Sequence, residues 1–195
     1  LSSALADHGQ QISFLVECDT GLGRTGVQDA AGALELARLV DSLPGLRLGG
    51  LMTYPTSPAS GPFFEAAVAA LRDAGLEAPV VSGGGTETAF STHETPVITE
   101  LRPGTYVYGD RACVANGTHR LEDCALRIRT TVVSRPAPGR AILDAGSKVL
   151  TSDPVEAAGE TGYGHILERP NAVVAELFEE HARVEMAASD GPLEL

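Results

Sequence analysis

Residues that could bind an anionic small molecule stand at four places in the first half of the chain. Asp19-Thr-Gly-Leu-Gly-Arg24-Thr-Gly26 combines a cation with three glycines, and Ser82-Gly-Gly-Gly-Thr86 is a glycine run between two hydroxyls. Met52-Thr-Tyr54 and Glu100-Leu-Arg102-Pro-Gly-Thr-Tyr106 each end in a tyrosine. Glycines let backbone amides approach an anion, and arginine keeps its charge. The residue types therefore indicate an anion site.

The best phosphate-binding pattern consists of Ser82, Gly83, Gly84, Gly85 and Thr86. It follows an apolar segment that predicts a buried strand over 79–82. Backbone amides and the two hydroxyls could donate to a phosphate there. A flexible turn is the alternative that any glycine run allows.

Three side chains could complete such a site. Arg24 could hold an anionic ligand or lie opposite a ring nitrogen, or it could only balance the charge of Asp19. Tyr54 and Tyr106 could donate to a phosphate or stack on a ring, although core or rim positions suit tyrosine equally well. Their location in the fold decides between these alternatives.

The second half of the chain offers a weaker catalytic candidate, His181, which follows Glu179 and Glu180. This trio could supply a general base or a metal ligand, but the pattern favours a solvated acidic edge. Other histidines and cysteines have no neighbours at metal-ligand spacing, so we assign no metal site. The three cysteines form no CxxC pair, which favours a reducing cytoplasm.

Apolar periodicity predicts how these loops are positioned. Strands are predicted over 11–19, 46–54, 79–82 and 95–101, and helices over 29–42 and 63–74. Strands that alternate with helices predict parallel βα units. A closed parallel barrel needs eight such units and about 250 residues, so the parallel part is half a (β/α)8 barrel or an open sheet.

A change of pattern predicts a domain boundary. Residues 1–120 carry the βα units, whereas 121–195 are mostly β, with strands predicted over 125–135, 140–144, 172–178 and 181–186. The ligand edge of the parallel part is the carboxyl end of its strands, where all four patterns of the first half stand. We expect the two domains to follow one another in this order.

Composition limits the partners of the protein. The net charge of -12 argues against nucleic acid and against an anionic membrane surface, because both select clustered lysine and arginine. No apolar run approaches the roughly 18 to 20 residues of a membrane span. A small molecule is the expected partner. The first residues form no signal peptide and lack an initiator Met, so we expect the chain to be a fragment of a longer protein.

Several of these motifs resemble one enzyme family. Val16-Glu-Cys-Asp-Thr-Gly-Leu-Gly-Arg-Thr-Gly26 is similar to the D-T-G-x-x-R-x-G loop of alanine-racemase-type barrels, and Glu100 to Asp110 continues the likeness. The stretches Glu122 to Leu126, Arg140 to Lys148 and Glu179 to His181 resemble the D-threonine aldolase and D-serine dehydratase branch. The chain is thereby identified as a member of these pyridoxal-phosphate (PLP) enzymes of fold-type III.

The resemblance implies a role for each candidate residue. Arg24 would face the pyridine nitrogen of PLP, and Ser82 to Thr86 would hold its phosphate. Tyr54 and Tyr106 would line the cofactor pocket. The family's architecture, a PLP barrel followed by a β domain, agrees with the change of pattern near residue 120, and its complete enzymes are expected to be homodimers.

The same resemblance implies that two functional groups lie outside this chain. The Schiff-base lysine of the family belongs to a segment expected before Leu1, while Lys148, the only lysine, matches a structural or site-bordering residue of the β domain. Ligands for a divalent metal, Mn, Mg or Zn, are expected shortly after Leu195. Pro55, which follows Tyr54, also departs from the family pattern. This position belongs to the part of the site that the family is expected to use for substrate contacts.

The implied activity is that of a lyase on D-3-hydroxy amino acids. Retro-aldol cleavage, as in D-threonine aldolase, would give glycine and an aldehyde. The alternatives are a D-serine dehydratase, an aldolase or dehydratase acting on 3-hydroxyaspartate, an amino-acid racemase and a non-catalytic PLP-binding protein. The β domain argues against the last, and the motifs of the second half favour a lyase over a racemase.

Overall fold

The computed structural model describes residues 1–157 and 159–191. The chain forms two compact units, Leu1–Gly104 and Thr105–Leu195. The first is built of helices and parallel strands, and the second is mostly β. This confirms a mixed α/β part followed by a β part, while the division into domains at residues 120 and 121 stays a prediction.

In the first unit, strands alternate with helices. The elements are α1 (Ser2–Asp7), β1 (Ile12–Glu17), α2 (Ala30–Ser42), β2 (Leu46–Met52), α3 (Ser60–Asp73), β3 (Val80–Gly83) and β4 (Glu100–Leu101). The strands pair in the order β1-β2-β3-β4, and every pair is parallel. The carboxyl ends of all these strands therefore lie at one edge of the sheet.

Local chemistry explains where these elements begin and end. The side chain of Asp29 accepts a hydrogen bond from the Gly32 amide at 2.7 Å, which confirms the predicted cap of α2. Helix α3 begins at Ser60, earlier than predicted, because Pro62 fits within a first helical turn.

The strand predicted over 95–101 is wrong for most of its length, since only Glu100–Leu101 pairs with β3. A 3-10 turn covers Thr92–Glu94, and the Ile98 amide bonds back to the Thr95 carbonyl at 3.0 Å. Pro96 has no amide hydrogen to give to a strand ladder. The β propensity of the neighbouring residues is thereby overridden.

The core of the first unit lies between the sheet and the two longer helices. Fully buried residues of α2 and α3 meet those of β1, β2 and β3 in one apolar cluster that includes Val16, Ala33, Ala37, Leu48, Leu51, Phe64, Ala67, Leu71 and Val81. The helical residues recur at the spacing of one helix face. This cluster holds the strand ends in register.

The second unit contains α4 (Arg111–Ala115), β5 (Val132–Ala137), β6 (Arg140–Leu143), β7 (Val155–Ala157), β8 (Glu160–Gly162), β9 (Val173–Leu177) and β10 (Ala182–Glu185). In its described residues β5, β6, β10 and β9 pair in that order, antiparallel, and β7 pairs with β8. The strand predicted over 125–135 begins only at Val132.

The second unit has its own apolar core, to which Ala141, Leu143, Val174, Ala182 and Val184 contribute. Strands β7 and β8 were not predicted, because three residues are too few for a period of two to emerge. No helix among the described residues is long and apolar enough to cross a membrane.

Replacing Phe64 tests the core of the first unit. Its side chain is 0% exposed, so Phe64→Ala should lower the free energy of unfolding by about 3–5 kcal/mol through lost burial and a cavity. Phe90 is 74% exposed, and Phe90→Ala should change it by less than about 0.5 kcal/mol. Urea unfolding measures both, and equal losses would contradict this core assignment.

Candidate functional site

Three loops follow the parallel strands of the first unit. They run over 18–29 after β1, 53–59 after β2 and 84–91 after β3. Ligands bind at this edge in both barrels and open α/β sheets. The parallel pairing thus brings together Arg24, Tyr54 and the glycine run, which stand up to 62 residues apart in the sequence.

The loop after β1 is organised by Asp19. Its carboxylate accepts hydrogen bonds from the amides of Gly21 at 2.9 Å and Gly23 at 3.1 Å, and from the Gln28 side chain at 3.3 Å. The Gly21 bond, followed by that of Gly23, lowers the pKa of Asp19 below its usual range. Asp19 is thus a turn-forming anion at neutral pH.

Arg24 extends from this loop over the ring of Tyr54. The guanidinium carbon lies 5.5 Å from the ring centroid, within the range of a cation–π contact. Tyr54 is half-exposed, so the pair presents a cation and an aromatic face to solvent at the ligand edge. Arg24 therefore has a defined contact at this edge, while Asp19 bonds to the backbone of its own loop.

The glycine run forms the end of β3 and the turn that follows it. Ser82 is buried, and its hydroxyl donates to Glu100 Oε1 at 2.5 Å. The Gly84 amide donates to the Thr56 hydroxyl, and the Gly85 amide donates to Thr88 Oγ1 at 3.1 Å. Loops after β2 and β3 are thereby joined.

The glycines of this run have distinct roles. Gly84 has φ +71°, a left-handed backbone conformation that strains any residue with a side chain. A Cβ on Gly85 would meet no atom within 4 Å. Neighbouring atoms pack closely against Gly84, whereas the space beside the Gly85 backbone is open, as a phosphate-binding loop requires. The threonine hydroxyls and the Arg24 guanidinium at this edge are donors that suit a phosphate, and the Tyr54 ring suits contact with an aromatic ligand.

Sequence reasoning missed the hydroxyls that support these loops. Thr53 is almost fully buried; its amide donates to the Ser82 carbonyl at 3.0 Å, and its carbonyl accepts from Arg102. Thr56 and Thr88 hold the glycine amides. The only signal in the sequence is an excess of Thr and Ser directly after predicted strands.

Tyr106 lies in the second unit, where its side chain is exposed and its carbonyl contacts His119 Nε2 at 3.3 Å. Its assignment to the cofactor pocket stays a prediction. His181 also lies there and is exposed. Among the described residues, no three His, Cys, Asp or Glu side chains gather in a group that could hold a metal ion.

Lys148 is held in an ion cluster of the second unit. Its ammonium group lies 2.7 Å from Glu180 Oε1 and 3.1 Å from Glu179 Oε2. The hydrogen bond to Glu180, then that to Glu179, raises the pKa of Lys148 above its usual value. At neutral pH this amine is protonated, and a protonated amine is not a nucleophile.

Comparison with known proteins places this chain in a family. Residues 1–112 match the alanine racemase N-terminal domain, and residues 125–195 match the serine dehydratase domain. The D-threonine aldolase of Arthrobacter sp. is 38% identical over 181 residues, 83% of this chain and 48% of that protein.

Two further relatives extend the match. The D-threo-3-hydroxyaspartate dehydratase of Delftia sp. strain HT23 is 32% identical over 96% of this chain and 55% of its own length. The crystal structure of D-threonine aldolase from Filomicrobium marinum gives a TM-score of 0.73 at 29% identity, over 99% of this chain and 55% of that one. The chain spans about half the length of the relatives it matches.

The fold and the site therefore define an enzyme family that uses PLP, the alanine racemase-like family of fold-type III. Within it, the chain belongs to the D-threonine aldolase and D-serine dehydratase branch, as its motifs predicted. Members of this branch are lyases.

The state of Lys148 can be tested by chemical trapping. After incubation with PLP and borohydride at neutral pH, peptide mass analysis should find only minor pyridoxyl labelling of Lys148, because its ion pairs with Glu179 and Glu180 favour the protonated amine. Glu180→Gln removes the nearer carboxylate and should increase labelling at this position. Stoichiometric labelling of Lys148 in the unmodified protein would overturn its assignment as a structural residue.

Proposed function

We propose that the protein is a PLP-dependent lyase that cleaves D-3-hydroxy amino acids by retro-aldol reaction to glycine and an aldehyde. The proposal rests on one observation. In a chain from this family, a glycine loop, a cation and an aromatic ring lie together at the carboxyl edge of the parallel sheet. The 38% identity to a D-threonine aldolase supports this substrate class.

The glycine loop would hold the cofactor's phosphate beside Gly83, Gly84 and Gly85. Because the Thr56 and Thr88 hydroxyls each accept an amide hydrogen, their own protons are available to phosphate oxygens. The Ser82 proton is directed to Glu100, so the Ser82 hydroxyl would support the loop rather than donate to the phosphate. Thr86, which is buried, would close the loop.

Arg24 and Tyr54 would bind the ring side of the cofactor. The guanidinium would donate to the pyridine nitrogen or to an anionic group of the bound ligand, and Tyr54 would contact the ring or donate its hydroxyl. Bound PLP supplies an electron sink for the bond that breaks next to the amino-acid α-carbon.

The whole protein is proposed to extend this arrangement. The sheet of the first unit would be half of a (β/α)8 barrel, with the Schiff-base lysine in an upstream segment and divalent-metal ligands downstream. We propose a cytoplasmic homodimer that takes a small D-amino acid as substrate and binds neither nucleic acid nor membranes. The net charge of -12 supports the last point.

A dehydratase is the second candidate function. Its support is the match to the D-threo-3-hydroxyaspartate dehydratase, which at 32% identity covers 96% of this chain, against 83% for the aldolase. Loss of the β-hydroxyl, rather than cleavage of the carbon–carbon bond, would give a keto acid and ammonia. Both reactions would use the same cofactor loops.

Gly85→Ala tests the phosphate loop. A Cβ at this position meets no protein atom within 4 Å, so the fold should accept alanine, but the methyl group would fill the space proposed for the phosphate. We expect the Kd for PLP to rise about tenfold, which is 1.4 kcal/mol. Equilibrium dialysis with PLP and with inorganic phosphate measures the effect.

The matched control is Gly164→Ala in the second unit, where a Cβ would make an ordinary contact with Val174 at 3.5 Å. This variant should bind PLP as the unmodified protein does. If Gly85→Ala also binds PLP normally, the phosphate does not lie in the glycine loop, and the assignment fails.

The reaction itself is tested in the protein that carries the lysine-bearing upstream segment, with PLP and Mn²⁺. D-threonine should give glycine and acetaldehyde in equal amounts, and L-threonine should give neither. Formation of 2-oxobutanoate and ammonia would instead establish the dehydratase. Interconversion of the two threonine α-carbon configurations without cleavage would identify a racemase and contradict the lyase proposal.

A further inference from the structure

Three buried hydroxyls form a continuous chain beneath the candidate site. Thr20 Oγ1 lies 2.9 Å from Thr53 Oγ1 and 2.8 Å from Ser60 Oγ, and Thr53 Oγ1 donates to the Cys18 carbonyl at 2.8 Å. Thr20, Thr53 and Ser60 are 6%, 1% and 0% exposed. They come from the loops after β1 and β2 and from the first turn of α3.

The direction of this chain follows from the number of protons available. Each hydroxyl donates one proton, and a carbonyl can only accept, so the Thr53 proton is committed to Cys18. Thr53 must then accept from Thr20, which in turn accepts from Ser60. Ser60 accepts from the Ser57 amide at 2.9 Å, so every hydroxyl of the chain both donates and accepts.

This directed chain connects the elements that carry the proposed ring-binding residues. Thr20 belongs to the loop of Arg24, and its carbonyl also accepts from the Ser57 hydroxyl. Thr53 immediately precedes Tyr54 in the sequence. The Thr20–Thr53 bond, together with the bond of Ser57 to the Thr20 carbonyl, therefore links the loop of Arg24 to the loop of Tyr54.

We propose that Thr20, Thr53 and Ser60 are positioning residues that hold the loop of Arg24 against the loop of Tyr54, so that the ring-binding pair keeps its contact. This inference rests on the proposed function. The phosphate loop is joined to Thr53 through backbone atoms, the Thr53 amide and the Ser82 carbonyl at 3.0 Å. A change at the Thr53 hydroxyl therefore acts on the loop of Arg24, whereas the Thr53 amide and the Thr56 hydroxyl keep the loops after β2 and β3 joined.

Thr53→Val tests the proposal because it keeps the shape of the side chain and removes the hydroxyl. The Cys18 carbonyl then loses its donor, and the Thr20 proton is left with only its longer bond, 3.4 Å, to the Pro55 carbonyl. The expected result is a Kd for PLP about tenfold higher, with the Kd for inorganic phosphate unchanged. Thr53→Ser, which restores the hydroxyl, should recover PLP binding.

Hydrogen exchange provides a readout that needs no ligand. In Thr53→Val, amides of 20–26 should exchange faster, while those of 54–57 and 83–86, which stay joined through Thr56 and Gly84, should not. Thr99→Val is the matched control: its hydroxyl accepts from the Val81 amide at 2.9 Å, outside the chain of hydroxyls, so PLP binding should be unaffected.

The results of these experiments distinguish a failure of the proposed function from a failure of this inference alone. If the unmodified protein binds no PLP, the proposed function fails and the inference with it. If it binds PLP and Thr53→Val lowers the affinities for PLP and phosphate equally, or lowers neither, the hydroxyl chain has only a structural role and the inference alone is overturned. Equal exchange rates in both loops would overturn it as well.

Discussion

Parallel pairing of β1 to β4 is the constraint on which the candidate site depends. Parallel strands run in one direction, so the loops that follow their carboxyl ends gather at one edge, whatever their separation in the sequence. The packing of α2 and α3 on the sheet, centred on Phe64 and Leu51, holds that register. Side chains of neighbouring loops then have only short distances to cross to form the site, such as the 5.5 Å between Arg24 and the Tyr54 ring.

Polar contacts at this edge fall into two groups with different consequences. Amides of Gly84 and Gly85 bond to threonine hydroxyls, which orders the glycine loop and still leaves hydroxyl protons for a ligand. The buried hydroxyls of Thr20, Thr53 and Ser60 bond to one another and to a carbonyl, so their hydrogen-bonding capacity is used inside the protein. The first group can bind a ligand, and the second can only position groups that do.

The sequence predicted the strands and helices around this site well, and the contacts within it poorly. The cap at Asp29 and the glycine run after β3 follow from local rules, since one residue type at one position determines the conformation. The contact of Arg24 with Tyr54 depends on strand register, which one strand alone does not encode. Strand β4 is short because Pro96 and the turn at Thr95 outweigh the β propensity of their neighbours.

Binding of PLP by the strand-edge loops of the first unit can be measured by an amide chemical-shift titration of the protein with PLP, because the shifts report position without requiring catalysis. We expect shifts mainly at 20–26, 54–57 and 83–88. Shifts centred instead on the second unit, at Lys148 or at the surface depression lined by Arg135 and Arg140, would contradict it.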